Sequence, residues 1–245
     1  MKKLTIVCLL LVSVSVRADV TMVEVFDMQV AGLHTKTTTK IKGSKIWSMG
    51  EVTGPGGVVR KLGATIDDID TGEEIQINHA DKTFTKVSGK EMSTPRKVPG
   101  AHSPDANAPD ETKIEDTGKT EKVGNYNTRI YKITGGPSAG FTLWVTRDIP
   151  NYAYILQELN KRSAYLKKIG RPVHDDKEPD GVIVKTQTDK PPGPFTITLI
   201  SLSQDPIGDA EFRPPADYVE KKLPTSTPSS EAGAASPKPP APASR

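Results

Sequence analysis

The sequence predicts a mainly β protein, a single antiparallel sheet with one long amphipathic helix lying over it. Two observations lead to this prediction. Short segments of alternating apolar and polar residues recur at regular spacing with turn residues between them, and only one segment has helical periodicity. An amphipathic helix has to bury its apolar stripe against another element. Because the rest of the chain has the pattern of strands and loops, the sheet is the only partner that the sequence offers.

The helix is predicted over Pro150–Ile169. Proline is tolerated in a first helical turn, lysines favour the last turn, and Gly170 followed by Pro172 ends the helix. The apolar stripe recurs at spacings near three and four. It consists of Tyr152, Ile155, Leu156, Leu159, Leu166 and Ile169.

A predicted hairpin precedes the helix. Its strands are Tyr126–Thr134 and Phe141–Arg147, joined by a turn with two glycines and a proline. In the second strand three apolar residues alternate with threonines and a tryptophan, which indicates one buried face and one less buried face. The first set is Phe141, Leu143 and Val145, and the second is Thr142, Trp144 and Thr146.

The other predicted strands lie on both sides of this hairpin. They are Val20–Val30, Thr35–Lys42, Lys45–Val52, Val58–Leu62, Thr65–Asp70, Glu73–Asn78, Thr83–Val87, Val182–Thr188 and Phe195–Ser203. The threonine-rich Thr35–Lys42 predicts a strand with an exposed face or at an edge. Lys113–Val123 is predicted as a second hairpin, turning around Asp116-Thr117-Gly118-Lys119. A long polar segment with four prolines, from Ser88 to Thr112, is predicted as a loop.

The two ends of the chain differ from this domain. Residues 1–18 combine two lysines, an apolar run from Leu4 to Val16 and a small residue, Ala18, which is the pattern of a signal peptide cleaved near Ala18. A short N-terminal core strand is the alternative. Residues 19–222 form the β-rich domain, and residues 223–245, rich in Pro, Ala and Ser, are predicted as a disordered tail.

Cleavage would change the charge and the redox chemistry of the chain. Of its 33 basic residues, Lys2, Lys3 and Arg17 would be lost, which leaves 30 basic and 30 acidic residues. A neutral protein offers no electrostatic reason to bind nucleic acid. The single cysteine, Cys8, would also be lost, so no disulfide or thiolate site is expected. No transmembrane segment is expected after cleavage.

No motif predicts catalysis, a metal or a cofactor. His174-Asp175-Asp176 resembles part of a metal site, but a solvated loop explains it better. The acidic run from Asp67 to Glu74 resembles a calcium loop without the full ligand spacing, and a hairpin turn at Asp-Thr-Gly explains it better. There is no Gly-x-Ser-x-Gly elbow, and no glycine-rich loop opens a helix. The sequence therefore predicts a protein that is not an enzyme.

Several segments resemble a bacterial family called domain of unknown function 4412. The resemblance spans about Val20 to Val219 and rests on Asp116–Tyr126, Thr142–Pro150, Asp70–Gly72, Lys82–Lys86, Ser203–Ile207 and Phe212–Tyr218. This family is more distantly similar to periplasmic lipoprotein-localisation factors (LolA/LolB-like), whose incomplete antiparallel barrel is covered by helices and holds acyl chains. The resemblance implies an incomplete β-barrel with the helix across its mouth, in the periplasm.

Together these observations predict an exported, non-catalytic protein that holds or carries an apolar or lipid-like ligand, such as an acyl chain, between sheet and helix. The compartment is expected to be periplasmic, with the extracellular space as the alternative. An interaction protein with a filled core and no small ligand is the alternative function. The residues predicted to line the cavity are Trp47, Phe141, Leu143, Trp144, Tyr152, Ile155, Leu156 and Leu159.

Overall fold

Twelve strands of one open, curved sheet and one long helix make up the part of the chain that the computed structural model describes, which is residues 19–28, 32–88, 112–135, 139–168, 179–190 and 193–222. The strands are β1 Val20–Met28, β2 Leu33–Lys42, β3 Lys45–Thr53, β4 Val59–Asp68, β5 Glu73–Asn78, β6 Thr83–Ser88, β7 Lys113–Val123, β8 Tyr126–Thr134, β9 Phe141–Thr146, β10 Val182–Thr188, β11 Phe195–Ser203 and β12 Val219–Glu220. Helix α1 is Tyr152–Lys168, and short 3-10 turns lie at Pro55–Gly57 and Asp209–Phe212. The predicted fold class is confirmed.

The order of strands across the sheet is β12-β6-β5-β4-β3-β2-β1-β11-β10-β9-β8-β7. Strands β1 to β6 form a meander of consecutive neighbours, while β10 and β11 lie between β1 and the second meander, β7 to β9. Every neighbouring pair is antiparallel except β12 and β6, which are parallel. Two-residue turns need positive φ, which explains Gly43 between β2 and β3 (φ 59°) and Gly124 between β7 and β8 (φ 57°).

The two faces of the sheet are covered by different parts of the chain. Neighbouring residues of a strand point to opposite faces. On β3, Ile46 belongs to a core cluster that includes Ile155 of α1, so we call this side the helix face. The next residue, Trp47, packs in a second cluster with Phe212, so we call the other side the strap face.

The strap is residues 204–222, which lead from β11 to β12 across the strands between them. Its apolar side chains Ile207 and Phe212 are buried in the second cluster. The Ile207 amide donates a hydrogen bond of 2.6 Å to Asp19 Oδ2, and Lys42 Nζ donates one of 2.6 Å to the Ile207 carbonyl. Ion pairs fix the rest of the strap. They join Lys40 to Glu211, Lys42 to Asp209, Lys82 to Asp217 and Lys86 to Glu220.

The segment predicted as a hairpin around Asp116-Thr117-Gly118-Lys119 is one strand, β7, so that prediction is wrong. The register against β8 shifts between Asp116 and Thr120, which makes this segment a β-bulge. Asp116 accepts a hydrogen bond from the Gly118 amide, and the Thr117 hydroxyl donates to the Ile130 carbonyl. The turn-forming residues are therefore used within the strand, and the chain reverses at Gly124-Asn125.

Three other predictions differ in detail. Val58–Leu62 and Thr65–Asp70 are a single strand, β4, which has an irregular register against β3 near Gly63. The threonine-rich β2 is an interior strand between β1 and β3, with an open face at part of its length. The helix begins at Tyr152, two residues later than predicted. Residues 1–18 and 223–245, the interior of the Ser88–Thr112 loop and His174-Asp175-Asp176 lie outside the described residues.

Candidate ligand-binding site

Helix α1 is attached to the sheet at its N-terminal end. Ile149, just before the helix, is buried, and its carbonyl accepts a hydrogen bond of 3.1 Å from the Tyr152 amide. Gln204, directly after β11, holds the turn between them. Its Nε2 donates to the Pro150 carbonyl at 2.7 Å, and its Oε1 accepts from Asn151 Nδ2 at 3.1 Å. These contacts place the first turn of α1 beside β11.

An apolar cluster, here called the helix-face core, lies between α1 and the sheet. Its central residues are almost fully buried, and Ile155 of the helix has no exposed surface. Its members come from β1, β2, β3, β9, β10, β11, the turn after β9 and the helix. They are Val20, Met22, Ile41, Ile46, Trp144, Ile149, Ile155, Val182, Val184 and Leu199.

A rim of less buried apolar side chains surrounds the helix-face core. It consists of Ile69, Val123, Tyr126, Ile130, Tyr152, Tyr154, Leu156, Leu159 and Leu202. Four of these nine side chains are on the helix. Apolar surface that stays accessible to water is surface that a ligand would gain free energy by covering, about 25 cal/mol for each Å².

Trp144 is the aromatic centre of this region. It is buried, its Nε1 donates a hydrogen bond of 2.8 Å to Glu121 Oε2, and Lys185 Nζ lies 4.1 Å from the centre of its ring. A buried indole N–H needs such an acceptor, and the cation over the ring adds attraction. These contacts hold Trp144 in one orientation.

The eight residues predicted to line a cavity separate into three clusters. Trp144, Tyr152, Ile155, Leu156 and Leu159 come together in the helix-face core and its rim. Trp47 lies on the strap face, because Ile46 before it occupies the helix face. Phe141 and Leu143 pack with Ile133 and Val145 in a third cluster, on the face of β9 opposite Trp144.

A partly buried carboxyl group lies on the helix face of β1, two residues after Met22. Burial raises the pKa of Glu24 on β1, and the positive charge of Arg162 on α1 acts in the opposite direction. Ionised carboxylates are costly to bury, and the positive charge of Arg162 reduces that cost. Sequence analysis missed Glu24, although a glutamate among the apolar residues of a strand was a signal for it.

A row of polar side chains continues the helix face toward β6. Cross-strand pairing starts at the apolar Met22 of β1 and places Thr39, Ser48, Thr65, Gln76 and Thr85 opposite one another, one residue from each of β2 to β6. The row lies on the same face as the Ile41–Ile46 pair, two residues farther along each strand. Sequence analysis did not identify it, because the register between strands is needed to bring these residues together.

The far end of this row borders a cavity of about 560 Å³, which is open to solvent. The cavity is lined by residues of β4, β5 and β6 that lie on the same face, together with the charged residues Asp81 and Lys221. The first group comprises Gly63, Thr65, Gln76, Asn78, Thr83 and Thr85. A Cβ atom at Gly63 would lie 2.9 Å from the Ile77 carbonyl oxygen, which is too close, so glycine is required at this position in the cavity lining.

The described residues contain no group of three or more His, Asp or Glu side chains arranged to hold a metal. His34 is hydrogen-bonded to Asp27, and His79 Nδ1 lies 2.9 Å from the Tyr218 hydroxyl. Burial lowers the pKa of His79. The acidic turn after β4 is a hairpin turn, in which Asp68 Oδ1 accepts hydrogen bonds from the Asp70 and Thr71 amides. Within the described ranges, no helix is long and apolar enough to span a bilayer.

Residues of the segments that resemble the family make hydrogen bonds, ion pairs and packing contacts within the fold. In the segment after β9, Asp148 accepts hydrogen bonds from the Asn127 amide and side chain, and Arg147 pairs with Asp180. In the segment 116–126, Glu121 accepts the bond from Trp144. In the closing segment, Phe212 is buried on the strap face. These motifs therefore specify the fold and the setting of Trp144.

Comparison with solved structures gives distant likenesses. A structure of PNGF-II is 12% identical over 84% of this chain and 31% of its own, with a TM-score of 0.35. MucB is 8% identical over 82% of this chain and 59% of its own, with a TM-score of 0.39. LprF from Mycobacterium bovis is 12% identical over 82% of this chain and 90% of its own, with a TM-score of 0.33. The chain thus spans less than two thirds of the length of PNGF-II and of MucB.

Comparison with curated proteins finds no match. Residues 25–218 match the model of the family described as "Domain of unknown function (DUF4412)". The match covers most of the chain and includes all of the motifs discussed above. The chain belongs to this family.

Proposed function

We propose that this chain is an exported, non-catalytic binding protein that holds an apolar, lipid-like ligand between helix α1 and the sheet. The observation that carries the proposal is the rim of nine half-buried apolar side chains around the helix-face core. A ligand that covered this rim would remove apolar surface from water without displacing the buried centre. The site residues of the proposal are Tyr152, Leu156 and Leu159 of the rim, which pack against the buried Trp144 and Ile155.

The attachment of α1 supports the same proposal. Gln204 fixes the Pro150 carbonyl and the Asn151 side chain at the start of the helix. Leu156 and Leu159 lie one and two turns farther along and remain half-buried. The accessible part of these two side chains is apolar surface that a chain-like ligand would cover.

The alternative is an interaction protein with a filled core. It is favoured by the burial of Ile155, which has no exposed surface, and of Val184, which has 1%. The two functions differ at Leu156. If Leu156 borders a ligand site, a larger side chain there obstructs the ligand, whereas in a filled core it costs typically 1–3 kcal/mol of stability.

The test titrates a solvatochromic fatty-acid probe into the delipidated protein and into Leu156→Trp. We expect saturable uptake by the wild type and loss of uptake in Leu156→Trp, with thermal midpoints that agree within about 2 °C, a stability change under 1 kcal/mol. Gln157→Trp, at the exposed neighbouring position, is the matched control and should bind normally. Absence of uptake by the wild type, with Leu156→Trp merely destabilised, would establish the filled core.

Export is the second part of the proposal and rests on the signal-peptide pattern of residues 1–18. Asp19, the expected first residue after cleavage, is buried and accepts the hydrogen bond from the Ile207 amide. The intact mass of the protein isolated from its native host should correspond to a chain that starts at Asp19. A mass that retains residues 1–18 contradicts cleavage.

A further inference from the structure

The polar row on the helix face begins where the apolar region ends. Met22 belongs to the helix-face core, and the residues paired across from it in successive strands are Thr39, Ser48 and Thr65. Adjacent strands are about 4.8 Å apart, so the distance from Met22 to Thr65 is about 14 Å. One face of one sheet therefore changes from apolar to hydroxyl-bearing over roughly the length of a short lipid.

The cavity at the end of this row has the size of a small-ligand site. Its volume is about 560 Å³, within the range of roughly 300–1,000 Å³ that ligand sites show. The hydroxyls of Thr65, Thr83 and Thr85 and the amides of Gln76 and Asn78 are among its lining groups. The threonine hydroxyls both donate and accept hydrogen bonds, as the hydroxyl groups of a ligand also do, while the two amides are hydrogen-bonded to Glu74 and Asp81.

The charged side chains that line the cavity have opposite charges and lie next to each other. Lys221 Nζ lies 3.6 Å from Asp81 Oδ2, and these two are the charged residues among those that line the cavity. A carboxylate lies nearby, because Gln76 Nε2 donates a hydrogen bond of 2.7 Å to Glu74 Oε1. This setting suits a neutral ligand group rich in hydroxyls and offers little to a sulfate or a phosphate.

From these observations we infer that the ligand is an amphiphile whose neutral, hydroxyl-bearing headgroup occupies the Thr65–Thr85 cavity while its apolar chain lies along the rim of the helix-face core. The inference rests on the proposed function, to which it adds the chemical class of the ligand. The apolar chain supplies affinity and the polar row supplies selectivity among headgroups.

The experiment compares amphiphiles that share one apolar chain. Decyl maltoside and decyl sulfate, each below its critical micelle concentration, and maltose alone are titrated into the full chain by calorimetry. The variants are Thr65→Val and Thr85→Val, which remove one hydroxyl each and keep the branched shape. Gln76 is left intact because its amide is bonded to buried Glu74. The control is Thr38→Val, on the opposite face of β2 from Thr39.

We expect decyl maltoside to bind more tightly than decyl sulfate and maltose to bind much more weakly. Each variant should weaken decyl maltoside about 3- to 10-fold, the effect of one lost hydrogen bond, while leaving decyl sulfate unchanged. Thr38→Val should change neither, and melts should show all three variants folded.

Four results would overturn the inference. Equal affinity for the two amphiphiles, or variants that leave the affinity for decyl maltoside unaltered, would remove the headgroup site and leave the proposed apolar site standing. Maltose bound as tightly as decyl maltoside, with the same dependence on Thr65, would assign the cavity to a free sugar. No saturable binding of either amphiphile, with no uptake of the fatty-acid probe, would overturn the proposed function as well.

Discussion

The helix and the strap cover opposite faces of this sheet. Around β1, β9 and β10 the helix-face core lies under Ile155 of α1, while Leu143 and Val145 of β9 pack in the third cluster on the other face. Around β4, β5 and β6 the second cluster lies on the strap face, where Phe212 covers it. The strands of both halves have the same alternating pattern, so the covering segment determines which face becomes core.

This difference leaves each half with a distinct free surface. Where the strap buries the apolar residues of β4 to β6, the helix face of the same strands is free to carry Thr65, Gln76 and Thr85. Where the helix buries the apolar residues, a partly open rim remains around it. One curved sheet can in this way present an apolar region and a polar region side by side on a single face.

The largest effect is expected when the strap loses its anchor. Phe212 is 4% exposed and packs in the second cluster, so Phe212→Ala should lower the free energy of unfolding by about 3–5 kcal/mol. Urea denaturation measures the change. Val219→Ala, also in the strap but 65% exposed, is the control and should cost less than about 0.5 kcal/mol. Equal losses for the two variants would mean that the strap does not form the core of this half.

A smaller effect is expected where the strap meets β1. Asp19→Ala removes the acceptor of the buried Ile207 amide and should cost about 1–3 kcal/mol, the penalty of an unsatisfied donor. Asp19→Asn keeps an oxygen in place and should cost less. The two variants are compared in the chain that starts at residue 19, by urea denaturation at one pH. If Asp19→Asn is as harmful as Asp19→Ala, the hydrogen bond is not the source of the loss.

The sequence was sufficient to predict most strands and the helix. It was insufficient to predict which face of the sheet their side chains occupy. Glu73–Asn78 was predicted without error, and α1 to within two residues, because alternation and helical period are local properties. Trp47 was assigned to the ligand cavity although it faces the strap, because nothing near it in sequence indicates that residues 204–222 return to cover it. The Asp116–Lys119 turn signal was real but is used in a bulge, whose register depends on β8.

The contribution of Glu24 to the stability of the fold is expected to depend on pH. Burial raises the pKa of Glu24, so its contribution favours folding at acid pH and is lost as the pH rises through the raised folded value, above 4.5. Glu24→Gln cannot ionise and should therefore be more stable than the wild type at pH 7.5, by on the order of 1 kcal/mol, but not at pH 4. Thermal melts at the two pH values measure this.

Two variants test the cause of the effect at Glu24. Arg162→Gln removes the charge that opposes the shift, so it should destabilise the protein more at pH 7.5 than at pH 4. Glu73→Gln, at an exposed position of β5, is the control for the substitution itself away from the helix. A Glu24→Gln effect of the same size at both pH values would mean that packing, and not ionisation, is responsible.

The smallest effect is expected at the end of the strap. The last backbone hydrogen bond that joins it to the sheet runs from the Lys221 amide to the Phe84 carbonyl, at 2.8 Å. Residues 223–245 have no apolar periodicity and are rich in proline, so neither half of the sheet is expected to depend on them. A chain ending at Lys222 should melt within about 2 °C of the full chain, since 1 kcal/mol corresponds to roughly 2–4 °C in a domain of this size.

A chain ending at Tyr218, which also lacks β12, is the contrasting variant and should melt lower, because the edge of β6 then loses its parallel partner. A large drop already at Lys222 would show that residues 223–245 contribute to one of the two covered faces.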